Sequence, residues 1–180
     1  MSRLVYISLL RGINVGGHKL IKVADLKAMC EAMGLARVQT FIQSGNVLFS
    51  SDEEEEPLRR RIEQQIQAVF GFDVPVALRT LAQWERIIAA CPYPPGEEGL
   101  CVAVVAEAPT PEGIDRLVAH KIEGDELSAA GREVYLLYRQ PIHKSKLTTN
   151  HLEKKLGVSV TVRNWQTMTK LAALGRAMAE

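Results

Sequence analysis

Directly after an apolar run ending at Leu10, the chain places Arg11, Gly12, Asn14, Gly16, Gly17, His18 and Lys19 within nine residues. Glycines let a backbone bring its N–H groups against a ligand, and arginine can grip a phosphate or carboxylate through two parallel hydrogen bonds. The chemistry these types suit is anion binding, with Arg11 and Lys19 supplying charge and Gly12, Asn14, Gly16 and Gly17 supplying backbone and amide contacts. Ser44 and Asn46, flanking Gly45, could add neutral hydrogen bonds. A second basic group comprises His143, Lys144 and Lys146 just before a helical pattern, with Arg163, Asn164 and Lys170 further on.

Each residue also has a structural account. The glycines suit a tight strand-to-helix turn at positive φ as well as they suit ligand approach. Ser44, Gly45 and Asn46 are what a hairpin turn demands. Arg11 could pair with Asp73, His18 fits an exposed side chain, and the acidic run 52–56 fits a solvated loop and helix start. No Walker loop, nucleophile triad or pair of catalytic carboxylates is present, and only His143 and His151 approach a metal-ligand spacing. Binding is therefore better supported than catalysis, and no metal or cofactor is assigned. Cys30, Cys91 and Cys101 form no CxxC pair; Cys30 and Cys101 suit buried thiols in a reducing compartment, and Cys91, just before Pro92, suits an exposed position.

The positioning elements follow from periodicity. The chain has 180 residues, 47% hydrophobic, enough for one domain or two small joined ones, and its net charge of +1 gives no bulk field favouring nucleic acid or an anionic membrane. Apolar runs such as 100–106 are too short to span a bilayer, and 1–10 lacks signal-peptide character, so a cytoplasmic protein is expected. Strands are expected at 3–10, 38–43, 47–50 and 74–78, with helices at 23–33 and 55–70. A helix begins near Thr80, whose spacing to Gln83 matches a capping box. Strands then follow at 100–106, 126–128, 133–138 and 158–162, with helices at 110–120 and 147–156 and a last helix from 164.

The order βαββαβ occurs twice. It predicts an α+β fold of two ferredoxin-like halves packed closely, residues 1–79 and 80–180, with a C-terminal helix. In that arrangement three connections of the first half share one end: the Arg11–Lys19 loop with the helix N-terminus that follows it, whose unpaired N–H groups and partial positive charge suit an anion, the Ser44–Asn46 hairpin and the Gly71–Asp73 turn. The same geometry puts the second basic group at the opposite end of its own half.

Leu10 to Gly17, Gln43 to Val47, and Arg163 to Trp165 with Thr169 to Leu171 together resemble the domain of unknown function 1697 family over essentially the whole chain. His18, Phe41 and Gln166 depart from the residues commoner there. The resemblance implies a conserved, mostly bacterial α+β protein and brings no activity with it. The expected function is binding of a small anionic ligand through the glycine-rich loop. The alternative is a non-catalytic interaction or scaffold protein. RNA binding is disfavoured, because 47–50 lacks a basic and aromatic stacking motif and aromatics are 6% of the chain.

Overall fold

A computed structural model describes residues 3–120 and 122–180. The first βαββαβ array runs β1 (Leu4–Leu10), α1 (Val23–Ala32), β2 (Ala36–Phe41), β3 (Asn46–Ser51), α2 (Glu55–Phe70) and β4 (Val76–Thr80). Its sheet has the order β2-β3-β1-β4, and every neighbouring pair is antiparallel. This is the ferredoxin-like order. β3 is buried along its whole length, as befits a central strand. Tyr6 and Leu10 from β1 meet Leu26 and Met29 from α1 and Leu58, Ile62 and Ile66 from α2 in one core. The α2 repeat of apolar residues every three or four positions makes that contact, and Gly71, at φ 83°, ends the helix in a left-handed cap.

The second array repeats the plan: β5 (Leu100–Val105), α4 (Pro111–Ala119), β6 (Glu126–Ala130), β7 (Glu133–Leu137), α5 (Thr149–Leu156) and β8 (Val160–Asn164). The sheet order is β6-β7-β5-β8. The connecting helix is α3 (Leu81–Ala89) and the last is α6 (Trp165–Ala179). Contacts divide the chain into two units, one running to Arg86 and including Lys170–Glu180, the other Ile87–Thr169.

The two arrays use the same fastening. In the first, the Glu63 carboxylate of α2 accepts the Val76 N–H at 2.9 Å; in the second, Glu153 of α5 accepts the Val160 N–H at 2.8 Å. Each locks its second helix to the start of the fourth strand. Glu63 also pairs at 2.8 Å with Arg59, a buried guanidinium that reaches Glu56 as well. The expected Thr80–Gln83 box is present: the Thr80 N–H donates to Gln83 Oε1 at 2.8 Å, and the Gln83 N–H to Thr80 Oγ1 at 3.2 Å. Thr110 caps α4 with Pro111 behind it.

The element boundaries differ from expectation mostly by register. β4 and β8 each begin two residues later than their apolar runs, because Val74 fills the core without joining the ladder and Val160 is the first residue fastened by its glutamate. Cys30 and Cys101 are buried, and burial pushes their thiols up to about 12 and about 11.

Candidate functional site

At the Leu10 end of β1 the three expected turns meet. The Leu10 N–H donates to the Gly45 carbonyl at 2.8 Å, joining β1 to the hairpin, and the Arg11 N–H donates to the Pro75 carbonyl at 3.0 Å, joining it to the α2–β4 turn. Lys19 Nζ reaches the Asp73 carbonyl at 2.5 Å. Asn14 ties the remaining pieces together. Its Nδ2 donates to the carbonyls of Ile21 at 3.0 Å and Gln43 at 2.8 Å, while Oδ1 accepts the Ile21 N–H at 2.8 Å.

The glycine-rich loop is a miniature hairpin. The His18 N–H donates to the Val15 carbonyl at 3.0 Å, with Gly16 and Gly17 between them at φ 60° and 75°. Two consecutive positive φ values are the pattern of a type I′ turn. The Asn14 N–H to Lys19 carbonyl bond at 3.1 Å closes the next rung, and Asn14 and Lys19 themselves stand at positive φ. Gly45 is indispensable in the neighbouring hairpin: at φ 93°, an added Cβ would lie 2.9 Å from Leu10 Cβ.

These contacts sort the eight expected site residues. The Asn14 amide is taken up by the protein. Asn46 is 1% exposed and donates to the Phe41 carbonyl at 2.9 Å and Ser44 Oγ at 3.0 Å, so this pair holds the hairpin turn. Lys19 braces the α2–β4 turn. Arg11 is half-buried at the meeting point, and Gly12, Gly16 and Gly17 expose their backbone. The start of α1 adjoins them, the helix N-terminus expected after the loop. Its first intrahelical bond runs from the Leu26 N–H to the Lys22 carbonyl, Lys22 is the N-cap, and no side chain caps it. The N–H groups ahead of that bond have no partner within the helix and carry partial positive charge, which Asp25 in the first turn partly offsets. Lys22 stands at the N-cap, where Ser, Thr, Asp or Asn is usual.

Apolar side chains share this rim. Val15 and Leu20 are each 65% exposed and Ile42 is 51% exposed. Ile42 stands at φ 53°, where a β-branched residue is strained.

In the second unit the expected basic group is only partly assembled. The register places Leu100 opposite Leu137 and Cys101 opposite Asn164, so the exits of β7 and β8 lie at one end of the sheet. Lys144, Lys146 and His120 line a hollow of about 590 Å³ there. Asp125 organises it: its carboxylate accepts from Ser145 Oγ at 2.5 Å, Gln140 Nε2 at 2.8 Å and the Arg139 N–H at 2.8 Å. Burial opposes its ionisation, and these hydrogen bonds outweigh it, holding the carboxyl below its usual range. His143 is exposed in the short turn Ile142–Lys144. Asn164 accepts the Thr167 N–H at 2.8 Å and so caps α6. Arg163 donates to the Val162 carbonyl at 3.1 Å, and burial lowers its guanidinium to about 10. Lys170, exposed on α6, groups with the first unit.

His120 and His151, thirty-one positions apart in sequence, lie with ring centroids 4.9 Å apart and ring planes tilted by 52°. His151 Nε2 is buried without a hydrogen-bond partner, and desolvation, followed by the His120, Lys155 and Lys154 charges, lowers its pKa. Among the described residues no group of three or more His, Cys, Asp or Glu could hold a metal, and no helix is long and apolar enough to cross a membrane.

A family model described as a protein of unknown function, DUF1697, matches residues 3–135. A comparison with curated proteins returned no match. Among solved structures, the conserved bacterial protein SP0830 from Streptococcus pneumoniae is similar, with a TM-score of 0.77 at 21% identity, covering 97% of this chain and 99% of that one. At that identity the likeness shows the fold: α+β, with two four-stranded antiparallel sheets and a C-terminal helix.

Proposed function

The chain belongs to the DUF1697 family, and from the geometry of its rim we propose that it binds a small phosphate- or carboxylate-bearing ligand beside Arg11. The observation that carries this reading is the convergence of three turns on Arg11, next to a helix start with no side-chain cap. The Arg11 guanidinium would grip the anion through parallel N–H donors, and the first N–H groups of α1, with Lys22 above them, would complete its coordination. Asn14, Asn46, Ser44 and Lys19 hold the frame. A frame already hydrogen-bonded before the ligand arrives gives up little conformational entropy on binding.

Thermal unfolding in the presence of inorganic phosphate, nucleoside monophosphates and sugar phosphates tests the reading. A ligand held at Arg11 and present at about 100 times its Kd stabilises the protein by about 2.7 kcal/mol. The Arg11→Gln variant, compared with its own ligand-free midpoint, is expected to lose that increment. Equal stabilisation of both proteins, or of neither by any anion, contradicts it.

A second reading, a non-catalytic interaction protein, is favoured by the exposed Val15, Leu20 and Ile42 on the same rim. RNA stacking is not favoured. It calls for aromatic residues on an open sheet face, whereas β3 is buried throughout and Tyr6 and Phe49 stack within the core.

A further inference from the structure

At the edge of the first sheet opposite the glycine-rich loop lies a hollow of about 530 Å³, within the range of small-molecule pockets. The register brings together its parts: Leu4 pairs with Ser51, Ala36 with Ser50, and Tyr6 with Thr80, so the start of β1, the start of β2 and the ends of β3 and β4 meet there. The first turn of α3 and the last turn of α6 complete the wall. Leu4, Val5, Leu81 and Met178 make it largely apolar, and Leu4, 48% exposed, is one of the few large hydrophobic side chains this unit leaves open to water.

The charged lining is of one sign: Arg3 and Arg37. Arg37 is held by an unusual backbone. It stands at φ 54° where the β2–β3 register slips between Ala36 and Gln39, and its guanidinium donates to the Met178 carbonyl at the end of α6. That bond satisfies a helix-terminal carbonyl and uses one of the five guanidinium N–H donors. The carboxylates of the acidic run lie elsewhere. Asp52, Glu53, Glu54 and Glu55 line a neighbouring hollow that shares only Leu4 and Thr80 with this one. Arg3 and Arg37 are thus the charged residues in the lining of a largely apolar cavity, and the acidic run lines the neighbouring hollow.

We propose that this cavity binds an amphipathic anion, an aliphatic body bearing one anionic head group, with the head at Arg3 and Arg37 and the body against Leu4, Leu81 and Met178. An apolar wall alone would accept a neutral chain equally well. The paired cations make the head group the discriminating feature. The site is separate from the Arg11 rim and does not depend on it.

Calorimetric titration of the full chain with decanoate, decyl phosphate, decanol and inorganic phosphate tests the proposal. Saturable binding of decanoate or decyl phosphate is expected, weakened about tenfold in Arg3→Gln, whose side chain is exposed, and abolished in Ala82→Trp, which fills the cavity from α3. The stronger of the two alkyl anions identifies the head group as carboxylate or phosphate. Decanol is expected to bind at least about tenfold more weakly. Any phosphate response dependent on Arg11 persists in both variants, which separates failure of this site from failure of the rim. The proposal is overturned if decanol binds as tightly as decanoate and decyl phosphate, if no alkyl anion binds saturably below about 1 mM, or if Arg3→Gln binds as the wild type does. Should Ala82→Trp not fold, the Arg3→Gln comparison and the decanol comparison still decide it.

Discussion

Asn14 illustrates how a residue that suggests ligand chemistry can be claimed by the fold. Its amide makes three hydrogen bonds, to both backbone groups of Ile21 and to the carbonyl of Gln43. Its positive φ is one that asparagine tolerates. Replacement by alanine leaves those backbone groups unpaired, and the expected loss is about 3 kcal/mol in urea unfolding. Asn14→Gly relieves the backbone strain but restores none of the bonds, so it should recover only about 1 kcal/mol of that loss. The asparagine was visible in the sequence. Its partner at Gln43 was not, because a contact between distant turns leaves no local periodicity. His151 makes a second prediction at this scale. Desolvation and the facing charges of His120, Lys155 and Lys154 set its folded pKa below the 6.5 of an unperturbed histidine. The unfolded chain therefore takes up the proton first, so stability is intact above that pH and declines as the pH falls through the folded value. The midpoint of thermal unfolding should drop as the pH falls below about 6.5, and His151→Gln should flatten that dependence.

Elements were legible where local rules govern them. The apolar spacing from Leu58 to Ile66 delimits α2 over Glu55–Phe70, and the Thr80–Gln83 and Thr110 caps formed as their spacing requires. Strand edges were less legible: Val74 is apolar and buried whether or not it joins the ladder, so only the partner strand decides where β4 begins. Glycines divide by the same logic. Gly45 and Gly17 look alike in sequence, yet a Cβ at Gly45 would strike Leu10 and Ile13, whereas one at Gly17 meets nothing within 4 Å. Gly45→Ala is expected to lower stability by about 3 kcal/mol and Gly17→Ala by about 1 kcal/mol in the same denaturant titration. The shared fastening of Glu63 and Glu153 gives a paired expectation. Glu153→Ala should destabilise by about 1–2 kcal/mol by leaving the Val160 N–H without its acceptor, and hydrogen exchange at that amide should quicken.

At the scale of the whole molecule, the repeated element order is enough to infer two ferredoxin-like halves, because split βαβ topology fixes which loops share an end. What order alone does not reveal is that the chain returns to its first unit after Thr169. Gly175 in α6 lies close enough to Leu81 and Ile7 that a Cβ there would meet the Leu81 methyl at 2.7 Å, and Met178 supplies the acceptor for Arg37. Truncation after Thr169 should therefore destabilise the first unit, seen as faster hydrogen exchange in β1 and earlier proteolysis. The return also closes the cavity beside Arg37, which is why that site had no signature in the sequence. The rim around Arg11, by contrast, follows from topology, and its occupation by an anion is the claim on which the functional reading stands. An amide-resolved NMR titration with inorganic phosphate tests it most directly. Saturable shifts are expected at Arg11 to Gly17 and at the first turn of α1, absent in Arg11→Gln; shifts confined to other residues, or none at those amides, would contradict it.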